Sequence, residues 1–275
     1  MADQIATDKA NREFWDELCG SGFARAIGIT DHSMESLKKF DAAYFDFYPY
    51  LLRHIDLSDI AGRDVLEIGL GYGTVGQKLA EAGGRYVGLD IAEGPVHMMN
   101  YRMRMQGLPG KALGGSILDC PLRSESMDLV VAIGCYHHTG NVQRSIDETY
   151  RILKPGGRTV LMLYNQRSYR QWKHWPVKTL RSLLRDWRYG GRALSGDHEQ
   201  RMAYDRNAKG QAAPETTFVS IAQLKRMLSK FSRVAFRKEN CHGLNFLGRE
   251  IISRKRLLPL LGRWFGLDIY LCAWK

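Results

Sequence analysis

Val65, Leu66, Glu67 and Ile68 run straight into Gly69-Leu70-Gly71-Tyr72-Gly73-Thr74, and the next apolar run, Tyr86 to Leu89, closes on Asp90. A short, continuous apolar run of this kind marks a parallel strand covered on both faces, which requires helices on either side of its sheet. Glycines at 69, 71 and 73 remove the side chains that would keep a ligand away from the backbone of the turn. The chain is therefore expected to fold as an open α/β sheet with a nucleoside in the crevice outside the carboxyl ends of its strands.

Spacing narrows the choice of nucleoside. Counted from Gly69 the turn is G-x-G-x-G, with Thr74 where a dinucleotide fingerprint has its third glycine; counted from Gly71, Gly76 completes G-x-G-x-x-G, so spacing alone leaves NAD open. Glu67 tips the balance, because a carboxylate at the strand end repels a pyrophosphate but accepts hydrogen bonds from an ammonium group. Asp90 ends the second strand, where a carboxylate can take both hydroxyls of a ribose, and Ile91 follows it along the crevice.

The alternation continues along the chain. Strand 63–69 leads to helix 73–82, strand 85–90 to helix 95–105, strand 111–115 to a crossover of unassigned form, strand 127–134 to helix 142–152, and strand 157–164 closes the series. Pro155 stops the helix before it, and Gly156 and Gly157 make the turn. Ser220-Ile221-Ala222-Gln223 is a capping box for a further helix, and late strands are expected at 233–239 and 268–274 with an insertion at 243–266 between them.

These residues resemble the class I S-adenosylmethionine-dependent methyltransferases. The resemblance rests on the glycine turn and Asp90, on Ser126 to Gly134 as a fourth strand, on Tyr136-His137-His138-Thr139 as the loop after it, and on Arg151 to Gly157 as the turn into a fifth strand. A bacterial small-molecule subgroup is further resembled at Phe14-Trp15, at 28–31, at 45–50 and at 213–218. The resemblance implies a doubly wound, Rossmann-like seven-stranded sheet, six strands parallel and the last antiparallel. It also implies S-adenosylmethionine as cofactor and S-adenosylhomocysteine as its product. Glu67, Gly69, Gly71, Gly73, Asp90, Ile91, Ser116, Ile117 and Ile133 are the implied cofactor residues, and no metal is implied. After the third strand the family commonly reads Gly-Asp-Ala, whereas this chain has Gly115-Ser116-Ile117-Leu118-Asp119. Ser116 thus stands where the family's aspartate meets adenine, and Asp119 is the alternative.

In such a sheet the loops after strands four and five border the acceptor. Tyr136, His137 and His138, with Tyr164 and Asn165, are therefore the candidates for the acceptor side, and His138 ranks ahead of His137 as a general base. The plainer reading is that one histidine hydrogen-bonds backbone while the other packs.

Residues 1–60, rich in aromatics from Phe14 and Trp15 to Tyr50, are expected to form a helical lid, and 61–275 the catalytic domain with an inserted basic cap at about 166–215. About half of the net charge of +11 lies in that cap. From 166 to 206, Arg167, Arg170, Lys173, Lys178, Arg181, Arg185, Arg188, Arg192, Arg201 and Arg206 face only Asp186, Asp197, Glu199 and Asp205. Val177, Leu180, Leu184 and Trp187 recur at helical spacing beside Lys178, Arg181, Arg185 and Arg188, so a helix there carries an apolar stripe flanked by a basic one. Three uses stay open: a solvated face, recognition of an anionic small-molecule acceptor, or docking on an anionic membrane surface.

Five scattered cysteines without a C-x-x-C pair suit reduced thiols. Neither a signal-peptide pattern nor an apolar run of roughly 18 residues occurs, so the expected location is cytoplasmic, including the inner face of the membrane. The absence of catalytic loops of the Asn-Pro-Pro-Tyr or Pro-Cys type argues against a nucleic-acid substrate. A module that binds S-adenosylmethionine without transferring its methyl group is the alternative of another class.

Overall fold

The computed structural model describes residues 2–18, 20–189, 193–246 and 249–275. Cys19 and Arg192, both named above, lie outside these residues, as do the side chains of Trp187 and Arg188. Seven strands form the central sheet: β1 (Asp64–Ile68), β2 (Arg85–Asp90), β3 (Lys111–Gly114), β4 (Met127–Ile133), β5 (Leu153–Tyr164), β6 (Arg233–Glu239) and β7 (Asp268–Trp274), in the order β3-β2-β1-β4-β5-β7-β6. Strand β1 pairs in parallel with β2 and β4, whereas β7 runs antiparallel to both β5 and β6. The expected topology is thus present, last strand included.

Period-two alternation distributes the strand residues between two cores. Leu66, Ile68, Val130, Leu161 and Leu271 enter one apolar cluster, and their neighbours Val65, Leu129, Val131, Val160 and Tyr270 enter the other. Both faces of the sheet are therefore sealed, as the apolar run of β1 requires. Strand β5 begins at Leu153, four residues before the expected start, because Leu153 already pairs with Met127. The crossover after β3 is a single 3-10 turn, Ile117–Asp119, in which Ser116 Oγ accepts the amide of Leu118.

Helices α1 (Ala2–Trp15) and α2 (Met34–Phe47) lie ahead of β1, while α3 (Thr74–Glu81) and α4 (Glu93–Gln106) follow β1 and β2. One buried cation ties these parts together. Arg102 on α4, fully buried, donates to both carboxylate oxygens of Asp41 on α2 at 2.8 and 2.9 Å and to Gln77 Oε1 on α3 at 2.7 Å. Asp41 also accepts the hydroxyl of Thr74, the first residue of α3, at 2.6 Å. The N-terminal extension is anchored through this carboxylate to the helix that follows the glycine turn.

In the inserted segment, helix α5 (Pro176–Tyr189) packs in the reverse of the usual sense. Its buried face is polar: Thr179, Ser182 and Asp186 point inward, and Asp186 accepts from Arg167, Ser220 and Gln223 at 2.6, 2.6 and 2.8 Å. The apolar stripe faces solvent, with Val177, Leu180 and Leu184 at 61%, 47% and 54% exposure. Lys173, Arg181 and Arg185 are exposed beside it, and Lys178 is ion-paired with Asp197. No helix among the described residues is long and apolar enough to cross a membrane.

Candidate active site

The carboxyl ends of β1, β2, β4 and β5 open into a cavity of about 440 Å³ lined by the glycine turn, the loop after β4, and helices α1 and α2 among the N-terminal helices. The turn is shaped by backbone rather than side chains: Gly69, Gly71 and Gly73 have φ of 78°, 50° and 74°, a region that side chains disfavour. Only the first two of these glycines line the cavity. A Cβ on Gly73 would lie 2.8 Å from Met99 Sδ and 2.9 Å from Arg102 Cδ, so this glycine serves the packing of α3 against α4 instead. Gly76 has a similar duty: a Cβ there would collide with Glu67 and Tyr86.

Asp90 closes the turn from the second strand. Its Oδ2 accepts the amide of Leu70 at 2.7 Å and its Oδ1 the amide of Ala92 at 2.9 Å, which leaves further lone pairs on both oxygens at the cavity wall. Burial raises its pKa to about 6 against the pull of those amides. Glu67 lies deeper, accepts the hydroxyl of Tyr86 at 2.6 Å, and is pushed up to about 8 by burial. Ile91, Ser116, Ile117 and Ile133 also line the cavity. Asp119 is exposed and away from it, so the alternative adenine contact does not arise.

The loop after β4 separates its three candidates. Tyr136 is turned from the crevice, its hydroxyl 2.5 Å from Thr149 Oγ1. His137 is buried with neither ring nitrogen hydrogen-bonded, its ring packed at 3.9 Å from the centroid of Tyr164, and burial drives its pKa well below the usual histidine range. Neither residue lines the cavity; His138 does. His138 Nδ1 lies 2.6 Å from the carbonyl of Glu215, so that nitrogen carries a hydrogen and donates it. Of the pair after β5, Tyr164 reaches the cavity, while Asn165 is a buried brace that donates to the carbonyl of Gly266 and accepts the amide of Arg167.

Helix α1 spans the mouth. Asn11 donates to the carbonyl of His138 at 2.7 Å, Gln4 to that of Thr139 at 2.8 Å, and Asp16 accepts the amide of Gly94 at 2.7 Å. Trp15 sits 4.7 Å from the His138 ring, centroid to centroid. The cavity wall also contains Asn11, Tyr204 and Asp205, none of which followed from strand-end reasoning.

Residues 66–161 of this chain match the protein family described as methyltransferase domain. Over that stretch, which runs from β1 into β5, the chain is similar to the class I S-adenosylmethionine-dependent methyltransferases. Among curated relatives, demethylmenaquinone methyltransferase of Tropheryma whipplei is 30% identical over 102 residues, covering 37% of this chain and 41% of the relative. A phthiotriol/phenolphthiotriol dimycocerosates methyltransferase of Mycobacterium tuberculosis is 27% identical over 129 residues, 46% of each chain. The chain thus spans less than half the length of these relatives. An S-adenosylmethionine-dependent methyltransferase structure from Mesorhizobium loti superposes with a TM-score of 0.56 at 17% identity, covering 83% of this chain and 97% of that one, which shows the shared fold.

The crevice suits the cofactor of that family. Two positive-φ glycines line the cavity at the turn, and Asp90 lines it from the second strand. Asn11 Oδ1 on helix α1, buried and without a hydrogen-bond partner, offers a further acceptor.

Proposed function

We propose that this protein transfers a methyl group from S-adenosylmethionine to a lipophilic small-molecule acceptor. The observation that carries the reading is the meeting, in one cavity, of the open glycine turn with Asp90 on one side and the wall of Trp15, His138, Tyr164 and Tyr204 on the other. Asp90 would take the ribose hydroxyls, Glu67 would balance the ammonium group, and Ser116 and Ile117 would flank the adenine. When bound, S-adenosylmethionine supplies the methyl group and the sulfur leaving group. The chain's own task is alignment and exclusion of water, since in-line displacement depends on holding the acceptor atom at near-attack distance. Helix α1, pinned to the loop after β4 and to the turn at Gly94, closes the mouth as a lid. An aromatic wall favours a flat apolar acceptor, in keeping with the quinone and lipid names of the relatives.

A second reading concerns where this happens. Helix α5 turns Val177, Leu180 and Leu184 outward beside Lys173, Arg181 and Arg185, the arrangement of an interfacial helix on anionic lipid. A polar inner face already satisfied by Arg167, Ser220 and Gln223 explains why the stripe does not turn inward. Docked in this way, the protein would work at a membrane surface and collect its acceptor from the bilayer.

The test is transfer of label from methyl-tritiated S-adenosylmethionine to a panel of quinols, phenols and lipid extracts. Label in an organic-soluble product supports the reading. Tight cofactor binding with no transfer to any member would favour a binding module.

A further inference from the structure

The inserted segment brings into the crevice an ionisable group of its own. Asp205 follows the short helix His198–Tyr204, and its backbone is fixed on both sides: its amide donates to the carbonyl of Arg201 at 2.9 Å and its carbonyl accepts the amide of Ala213 at 3.1 Å. The side chain points at the cavity wall. There Tyr164 donates its hydroxyl to Oδ1 at 3.1 Å, while Oδ2 is buried without a hydrogen-bond partner.

His138 Nε2 lies 3.6 Å from that orphan oxygen. A carbonyl can only accept, so the 2.6 Å contact between His138 Nδ1 and Glu215 fixes a ring hydrogen on Nδ1 and leaves Nε2 as the ring atom that faces Asp205. Asp205 Oδ2 and His138 Nε2 therefore face each other across a gap longer than a hydrogen bond, so neither satisfies the other directly. Leaving a buried carboxylate oxygen unpaired is unfavourable, and the arrangement makes sense where a ligand brings the missing proton. Around the gap the Trp15 ring lies 4.7 Å from that of His138, and the Tyr204 ring 4.9 Å from that of Tyr164.

We infer that the acceptor is an aromatic or enolic hydroxyl compound whose O–H is directed at Asp205 Oδ2 and His138 Nε2, and that this pair takes its proton. The inference rests on the methyltransferase reading. In the step, the acceptor O–H bond breaks and its proton passes to the pair. The oxygen forms a bond to the methyl carbon, and the carbon–sulfur bond breaks with its electrons going to sulfur, leaving an ether and a neutral thioether. Tyr164 is a positioning residue that holds the carboxylate through its other oxygen.

The test uses 4-nitrophenol, whose phenolate is yellow, titrated into the complex of the full chain with S-adenosylhomocysteine. Its methyl ether, 4-nitroanisole, is the control. The native complex should bind the phenol in preference to the ether and develop the phenolate band at a pH where the free phenol is mostly neutral. Asp205→Asn should bind the phenol roughly tenfold more weakly and without that band, as expected for loss of one charge-assisted hydrogen bond. Its unchanged affinity for S-adenosylhomocysteine would certify the fold, and His138→Gln should likewise diminish the band. Equal binding of phenol and ether, an undiminished band in Asp205→Asn, or no uptake of the phenol by a complex that does bind S-adenosylhomocysteine would overturn the inference. Should S-adenosylhomocysteine itself fail to bind, the methyltransferase reading falls, and this inference with it.

Discussion

The carboxylate of Asp90 accepts the backbone amide of Leu70 at 2.7 Å, so the side chain assigned to the ribose also splints the glycine turn to the second strand. The two duties predict a compound phenotype. Asp90→Ala removes the proposed ribose contacts, worth roughly 1.5–3 kcal/mol of affinity, and strands the amides of Leu70 and Ala92, each an unfavourable change of about 1–3 kcal/mol. Calorimetric titration and thermal unfolding should therefore both show a loss. Weakened binding with an unchanged Tm would mean that the splint is dispensable.

Glu67 makes cofactor affinity depend on pH. Burial raises its pKa to about 8, and Tyr86 pulls it back only in part, with Asp90 and Arg102 acting in opposite senses nearby. A ligand ammonium favours the ionised form, so affinity should rise as pH increases toward 8, above which the ligand's own α-ammonium deprotonates and the gain is lost. Without ligand the sign reverses for stability. A carboxyl whose folded pKa lies above its unfolded value stabilises most below about 4.5, and that contribution is lost as pH rises through 8. Glu67→Gln should flatten both profiles; melting and titration series from pH 5 to 9 that superpose on those of the native protein would contradict this assignment.

The three turn glycines should separate by their effects. Gly71→Val is expected to abolish cofactor binding with the fold retained, as seen by circular dichroism. Gly73→Ala presses on Met99 and Arg102, so it should lower stability by roughly 1–3 kcal/mol. Gly69→Ala places a Cβ 2.5 Å from that of Cys135 and should be worse than either for the local turn. Gly73→Ala with native Tm and lost binding would return that residue to the cofactor.

Arg102→Met removes the main partner of Asp41, which is only partly buried and keeps the Thr74 hydroxyl, so the loss should fall below the roughly 3–5 kcal/mol of a stranded buried charge. Asp41→Asn should do more, because it leaves the fully buried guanidinium of Arg102 without a counter-charge, Gln77 offering only a neutral acceptor. Denaturant titration checks the order, and equal losses would show that the network does not act through the cation.

Much of this was legible in the sequence because the signals were local. The bounds of β2, β6 and β7 follow directly from apolar periodicity, and Ser220 with Gln223 forms the capping box that their spacing announces. What could not be read depended on distant partners. Nothing in Tyr136 announces Thr149, and nothing in Gly73 announces Met99 on the next helix. Helical spacing displayed the stripe of Val177, Leu180 and Leu184 but not its direction, which is set by Asp186 meeting Arg167, Ser220 and Gln223. Asp205 looked like one of four acids in a basic segment, and only the tertiary fold sets it beside His138 and Tyr164.

The outward stripe gives a membrane prediction. Flotation with vesicles containing phosphatidylglycerol should recover the native protein at low salt and lose it at high salt, since exposed charges are screened within about 4 Å at 0.5 M. Reversing Arg181 and Arg185 to Glu, or changing Leu180 and Leu184 to Ser, should each reduce recovery. Native recovery in both variants would leave the helix a solvated face.

The central claim is that the turn after β1 and the carboxylate of Asp90 hold S-adenosylmethionine. Isothermal titration of the native chain with S-adenosylmethionine, S-adenosylhomocysteine and NAD tests it most directly. Saturable one-site binding of the first two, lost in Gly71→Val, with no binding of NAD, is the predicted result. Preferential binding of NAD, or undiminished binding of S-adenosylmethionine by Gly71→Val, would contradict it.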